Sequence, residues 1–263
     1  IKQFALGVNG WHAHPTADSQ KIRIFTMHIA VFGSCGFIGQ NLVQHLRRSG
    51  HACLGLDIAK DSGESGSHTL IDISRNDIDL PRGLDAVVYL AQSPDYRCGR
   101  LESVGLFEVN TIGPLRAAAA AAKSGCDAFF YASTGNVYTP SFDPLSELCP
   151  TNGGTPYALS KLMGEQILQS LSNELRIVCL RFFGVYGPHQ RGMLVPNIMD
   201  RIWNGRSIEI APNPKNAHDA DGLKVSLSHV DDAVAAITYL LQIDGGTPLP
   251  PILNIGGSEG VSI

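Results

Sequence analysis

The chain has 263 residues, 44% of them hydrophobic, and carries 20 basic against 24 acidic side chains for a formal net charge of −4. That length and apolar content fit one large α/β domain, or one domain with a small appendage, with a sizeable core. The slight acidic excess argues against a nucleic-acid surface, and no run of about 18 apolar residues is present to span a membrane.

Residues 1–26 are a leader of no assignable role; they mix His12, His14, Asp18 and Lys21 and lack the long apolar core of a signal peptide. The first strand is Met27–Phe32, followed by the glycine-rich turn Gly33-Ser34-Cys35-Gly36-Phe37-Ile38-Gly39. A helix runs through Gln40 to Ser49. Its stripe of Ile38, Leu42 and Leu46 recurs every four residues, and Gly50 closes it. Ala52–Leu56 is a second buried strand ending at Asp57. Strand, glycine turn, helix, strand and acid is the order of a βαβ dinucleotide-binding unit.

The alternation continues with strands at Thr69–Ile71 and Ala86–Leu90 and a helix over Asn110–Ser124 that contains six consecutive alanines, Ala117 to Ala122. A strand at Ala128–Ala132, a helix at Thr155–Leu171 and a sixth strand at Arg176–Phe182 follow. Continuous apolar strands between helices predict a parallel sheet covered on both faces, a Rossmann-like doubly wound α/β fold. After Phe183 the texture changes. Residues 184–223 are rich in Gly, Pro and Asn, with one helix-like run at Val195–Trp203, and read as a smaller substrate-capping region. Asp231–Leu241 is a helix and Leu253–Ile255 a short strand. The expected division is 27–183 for the cofactor-binding domain with the catalytic residues. Residues 184–263 are mainly the cap, with 223–243 and 253–255 returning to the core. Gly260-Val261-Ser262-Ile263 reads as the opening of another helix, so the cap is expected to be incomplete at Ile263.

Six cysteines, at 35, 53, 98, 126, 149 and 179, form no CxxC pair and read as reduced thiols of a cytoplasmic protein. Cys35, in the glycine turn, reads as a small loop residue, because a reactive thiol needs an activating environment. His229 has no partners at ligand spacing and reads as a structural strand residue, with Asp231 or Asp232 as the cap of the following helix. No metal site is expected.

Gly33, Gly36 and Gly39 permit a tight turn, close backbone approach to phosphate and close helix packing, and the helix N-terminus offers free N–H groups to a pyrophosphate. Asp57 falls 18 residues after Gly39. At a strand end it can hold both ribose hydroxyls, and its charge would repel a 2′-phosphate, which favours NAD over NADP. Of seven tyrosines only Tyr157 has a lysine four positions on, Lys161, and that spacing puts the two on one helix face. A nearby ammonium and a cationic nicotinamide would lower the phenol towards a general base and acid. Ser133 and Thr134 place hydroxyls at the carboxyl end of the fifth strand, where ligands gather in open α/β sheets.

Taken together, GSCGFIG, Asp57, Asp72-Ile73, Tyr89-Leu90-Ala91, Asn110-Thr111, YASTGNVY, YALSK, LRFFGVYGP, SHVDD and NIGG resemble the extended short-chain dehydrogenase/reductase superfamily. Within it they resemble the NAD-dependent nucleotide-sugar epimerase/dehydratase family, over roughly Met27 to Gly257. The resemblance implies that Phe37 and Ile38 lie along the pyrophosphate and that Asp72 and Ile73 flank the adenine. It implies that Leu90, Ala91 and Gln92 line the cofactor path, that Asn110 supports it, and that Phe183 falls near the nicotinamide. Thr134 matches the catalytic Ser/Thr, Tyr157 the proton-transfer tyrosine, and Lys161 its partner on the nicotinamide ribose. Arg191 and Asn197 are candidate phosphate or sugar contacts.

The chain departs from the pattern at four places. Gly135 and Asn136 stand where family dehydratases carry Asp-Glu, which lowers the prospect of water elimination. Gly184 replaces an asparagine, and Val225 stands where many members place a pyrophosphate-binding arginine, with Lys224 one residue off. The implied function is an NAD-dependent nucleotide-sugar epimerase working through a transient keto-sugar with no net redox. The alternatives are a net dehydrogenase or ketoreductase on a sugar or other secondary alcohol, and a non-catalytic NAD-binding protein. The resemblance also implies a homodimer, through the Asn110–Ser124 helix and the Tyr157-bearing helix, whose alanines would let helices approach closely.

Overall fold

The computed structural model describes residues 26–60, 67–141, 143–209, 224–257 and 259–262. All of the leader but Thr26, and 210–223 of the expected cap, lie outside the described residues.

The first half holds β1 (His28–Phe32), α1 (Phe37–Arg48), β2 (Ala52–Asp57), β3 (His68–Leu70) and β4 (Ala86–Tyr89). Then come α2 (Val104–Phe107), α3 (Gly113–Ser124), β5 (Ala128–Thr134), α4 (Pro156–Gln169) and β6 (Arg176–Phe182). The remainder holds β7 (Val185–Tyr186), α5 (Leu194–Trp203), β8 (Lys224–Ser226), β9 (Ser228–His229), α6 (Val230–Gln242), β10 (Ile252–Ile255) and β11 (Gly260–Ser262). Seven strands make one sheet in the order β10-β6-β5-β4-β1-β2-β3, parallel throughout. This is the doubly wound order with a seventh strand added beyond β6. No helix among the described residues is long and apolar enough to cross a membrane.

The central strands are predominantly apolar because both faces are covered. On one face Ile29, Val31, Val88, Phe130 and Val178 pack with Leu42 and Leu46 of α1 and Val234 and Ile237 of α6. On the other, Ala30, Phe32, Val87, Phe129 and Ile177 meet α3 and Leu168 of α4. Each fully buried Val, Leu, Ile or Phe contributes about 1.5–3 kcal/mol of transfer free energy, so the two layers dominate the stability of the sheet. The alanine run serves the second layer. Ala117, Ala118, Ala120 and Ala121 are buried against the sheet, so their small size brings α3 close to the strands. Burial pushes the Cys53 thiol up to about 11 and the Cys179 thiol up to about 12, far from thiolate chemistry.

The helical run into α3 begins earlier than the sequence pattern implies and changes register. A π-helical turn spans Glu108–Ile112, and the Gly113 N–H reaches back five residues to the Glu108 carbonyl. The cause is Pro114, which has no N–H to offer the carbonyls of Val109 or Asn110. Two tyrosines of the sheet supply the missing donors: Tyr89 Oη donates to Val109 O at 2.5 Å and Tyr131 Oη to Asn110 O at 2.6 Å. Gly164 of α4 allows the approach, since a Cβ there would sit 2.5 Å from both the Asn110 carbonyl oxygen and Tyr131 Oη. The turn therefore docks α4, which carries the catalytic candidates, against the end of β5.

The end of the described chain corrects one expectation. Gly260–Ser262 does not open a helix; it is β11, antiparallel to β8. Backbone pairing with that short edge decides its conformation, a partner that local sequence does not reveal.

Candidate active site

The sheet order reverses between β1 and β4, and the crevice at their carboxyl ends is where α/β sheets of this topology take ligands. The glycine turn forms one side of it. Gly33 adopts φ +76°, its N–H donates to Leu56 O at 2.8 Å, and a Cβ there would sit 2.6 Å from the Ala91 backbone nitrogen. A Cβ at Gly39 would overlap the Gly33 carbonyl oxygen. Gly36 caps α1 without a side-chain hydrogen bond, and the first turn holds no acid. The amides of Phe37, Ile38 and Gly39 thus have no helical carbonyl one turn back and present partial positive charge, which fits a pyrophosphate. Asp57, at the end of β2, is fixed beside the turn: Oδ2 accepts from the Cys35 N–H and Oδ1 from the Ala59 N–H, both at 2.9 Å.

The other side is built from β5 and α4. Thr155 caps α4 by accepting from the Ala158 N–H at 3.1 Å, which starts the helix so that Tyr157 and Lys161 project one turn apart. Thr134 ends β5, and its Oγ1 accepts from the Asn136 N–H at 3.2 Å. Tyr157 Oη donates to Gln92 Oε1 at 3.1 Å. Burial pushes the Tyr157 phenol up, hydrogen bonding from Thr134 pulls it back, and the Tyr96 phenol adds to the rise. The expected lowering by Lys161 is absent because that ammonium is turned beneath the strand, donating to Ala132 O at 2.8 Å. Lys161 is 2% exposed, and desolvation lowers it to about 7 against the opposing charge of Glu165. The ammonium lies 5.1 Å from the centroid of the Tyr131 ring.

One cavity of about 2600 Å³ joins the two sides. Gly33, Gly36, Phe37, Ile38, Gly39, Asp57, Asp72, Ile73, Leu90, Ala91 and Gln92 line it with Thr134, Tyr157, Lys161, Phe183 and Arg191. Two sequence candidates are placed elsewhere. Asn110 is fully buried behind α4, where its Nδ2 donates to Ser160 Oγ at 3.1 Å; it braces that helix and is not part of the cavity lining. Asn197 is exposed on α5 and is not part of the lining.

Three features escaped the sequence reading. Gln92, expected on the cofactor path, accepts from the Tyr157 phenol itself. Tyr96, from the loop after β4, packs edge-on against Tyr157 with centroids 5.9 Å apart, and its hydroxyl reaches Met193 Sδ at 3.5 Å. Beneath the cavity Glu165 pairs with Arg181; the helical spacing Tyr157, Lys161, Glu165 was a usable signal for the first member, and a charge inside the apolar run of β6 for the second. The cap of α6 is also corrected. His229 is the N-cap, its Nδ1 accepting from the Asp231 N–H at 3.3 Å, while Asp231 and Asp232 sit in the first turn. His229 does occupy a strand, β9, paired with Tyr186. Gly135 has a steric reason, since a Cβ there would come within 2.6 Å of the Phe183 ring.

The description of the NAD dependent epimerase/dehydratase family matches residues 29–256. The UDP-glucose 4-epimerase of Pasteurella multocida (strain Pm70) is 26% identical over 271 residues, spanning 90% of this chain and 80% of the relative. MoeE5, solved in complex with UDP-glucose and NAD, superposes with a TM-score of 0.75 at 26% identity, over 89% of this chain and 78% of its own. The NAD-dependent NDP-hexosamine 5,6-dehydratase TunA is similar in fold, with a TM-score of 0.71 at 22% identity over 90% of this chain and 78% of its own.

Proposed function

The chain belongs to the NAD dependent epimerase/dehydratase family, and from that premise we propose that it is an epimerase of nucleotide sugars that keeps its NAD through the reaction. The observation that carries the reading is the Tyr157 hydroxyl. It faces the same cavity as the glycine turn, bonded to Gln92 and Thr134, with Lys161 one helical turn below. The chemistry that bound NAD would supply is acceptance and return of a hydride at the sugar carbon. The free amides of α1 and the Asp57 carboxylate are the groups that would hold it, at its pyrophosphate and at a ribose.

The protein's own part is proton handling. Tyr157 takes the proton of the reacting sugar hydroxyl and gives it back after the transient keto-sugar has turned over, and Thr134 steadies the oxygen between. Dehydration would need an acid and a base besides the tyrosine, and the residues after Thr134 are Gly135 and Asn136. This favours epimerisation over water loss. In the same reading two copies pair through the α2–α3 run and α4, where Val104, Ile112, Leu159 and Met163 are exposed. Light scattering should then read twice the chain mass, and a monomer at micromolar concentration would remove that part.

The test is incubation of the purified protein with UDP-glucose or UDP-glucuronate, followed by proton NMR of the sugar and by NADH absorbance. Conversion to the epimer with no NADH in solution is expected. Stoichiometric NADH release would instead identify a net dehydrogenase, and inertness with NAD bound a non-catalytic protein.

A further inference from the structure

Below the cavity floor lies a buried ion pair that the proton chemistry as described does not use. Glu165 stands on α4 one turn beyond Lys161 and two beyond Tyr157. Arg181 Nε and Nη2 donate to its two carboxylate oxygens at 2.9 and 2.6 Å, and Ser133 Oγ donates to it at 2.5 Å. Glu165 is 3% and Arg181 2% exposed. Arg181 sits beside Ser133 in the β5–β6 register, with its guanidinium 4.6 Å from the Tyr138 ring centroid.

Buried ion pairs are poor sources of stability, because desolvating both charges offsets most of their attraction. This pair lies directly under the reacting groups. Three consecutive residues of β5 divide the work: Ala132 O accepts from Lys161, Ser133 donates to Glu165, and Thr134 bonds Tyr157. The titratable groups around the ammonium are Tyr131 from β5, Tyr157 and Glu165 from α4, and Arg181 from β6 behind Glu165. Among these, Glu165 is the group that favours the charged lysine.

We propose that Glu165 and Arg181 are positioning residues for the proton chemistry above them, a charge-balanced pair in which Glu165 keeps the Lys161 ammonium charged and Arg181 limits how strongly it does so. The proposal rests on reading Tyr157 and Lys161 as the reacting pair, yet its consequence appears without turnover. Removing Glu165 takes away the charge that opposes the desolvation of Lys161 and so discharges it. Removing Arg181 leaves an unneutralised carboxylate and does the opposite. A pair that only braced the fold would lower the melting temperature in both variants without separating their titrations.

The experiment follows the lysine side chains by carbon-13 NMR across pH in the purified protein, with and without added NAD, using Lys161→Met to assign the buried signal. Glu165→Gln should lower the Lys161 midpoint and Arg181→Gln should raise it, each by about one pH unit, the scale expected of a charge within a helical turn. Midpoints that stay put, or move the same way, overturn the proposal while leaving the epimerase reading to its own assay. Should either charge variant fail to fold, Ser133→Ala carries the test. It removes a donor from Glu165 without removing a charge, so the midpoint should rise by a smaller step, and an unmoved midpoint counts against the pair.

Discussion

Tyr157→Phe should slow epimerisation by about 10³-fold, within the range that positioned proton transfer contributes, while leaving the NAD content of the protein unchanged. The substitution removes one oxygen and nothing else. The ring keeps its contact with Tyr96, and Gln92 Oε1, which loses its donor, belongs to an exposed residue that water can satisfy. The stability cost is therefore that of two modest hydrogen bonds, to Gln92 and to Thr134, about 1 kcal/mol each. The pH dependence gives a second signature. Burial pushes the phenol above its ordinary value, so its basic form is scarce at neutral pH and grows as pH rises. Wild-type turnover should climb with pH on the alkaline side, whereas the residual turnover of Tyr157→Phe should be flat over the same range. Sugar conversion by NMR at several pH values, with NAD quantified by mass spectrometry of the same samples, reads both. A phenylalanine variant with parental activity would take the proton role away from this residue.

The reach of the sequence follows from which interactions are local. Strands β1, β2, β4, β5 and β6 were legible to within a residue or two because burial on both faces forces an unbroken apolar run. The glycine turn was legible because its contacts exclude a Cβ, and the Tyr157–Lys161 pair because helical spacing sets it. The π-helical turn was not, since its stability depends on two phenols reaching across from the sheet. The short pairs β7–β9 and β8–β11 have too few residues for any periodicity. The site follows the same division. Gln92 and Tyr96 meet Tyr157 across 65 and 61 residues of sequence, through a loop whose path the pattern does not fix. Glu165 continues the helical series of Tyr157 and Lys161 but went unread, because its partner Arg181 becomes meaningful only once β5 and β6 stand side by side.

Gly39→Ala is the substitution expected to strip the protein of its cofactor. By helix propensity alone alanine would be favoured over glycine by about 0.5–1 kcal/mol, so the sign rests on space. The new Cβ would overlap the Gly33 carbonyl oxygen and lie 2.9 Å from the Gly33 carbonyl carbon and 3.0 Å from the Ser34 Cα. All three are backbone atoms of the turn, and none can swing aside as a side chain could. The turn cannot retreat either, because Gly33 at φ +76° already rests against the Leu90–Ala91 backbone. The strain can be relieved only by lifting the start of α1, which moves the Phe37–Gly39 amides away from the pyrophosphate and loosens Leu42 and Leu46 from the sheet. Overpacking of this kind costs about 1–3 kcal/mol or more, which outweighs the propensity gain. The purified variant should therefore carry little NAD and melt below the parent. Gly36→Ala, whose Cβ would meet only the Gly33 carbonyl oxygen at 3.2 Å, should lose far less. Parental NAD content in Gly39→Ala would mean that the cofactor does not depend on the junction between this turn and its helix, and the site would have to be sought elsewhere in the cavity.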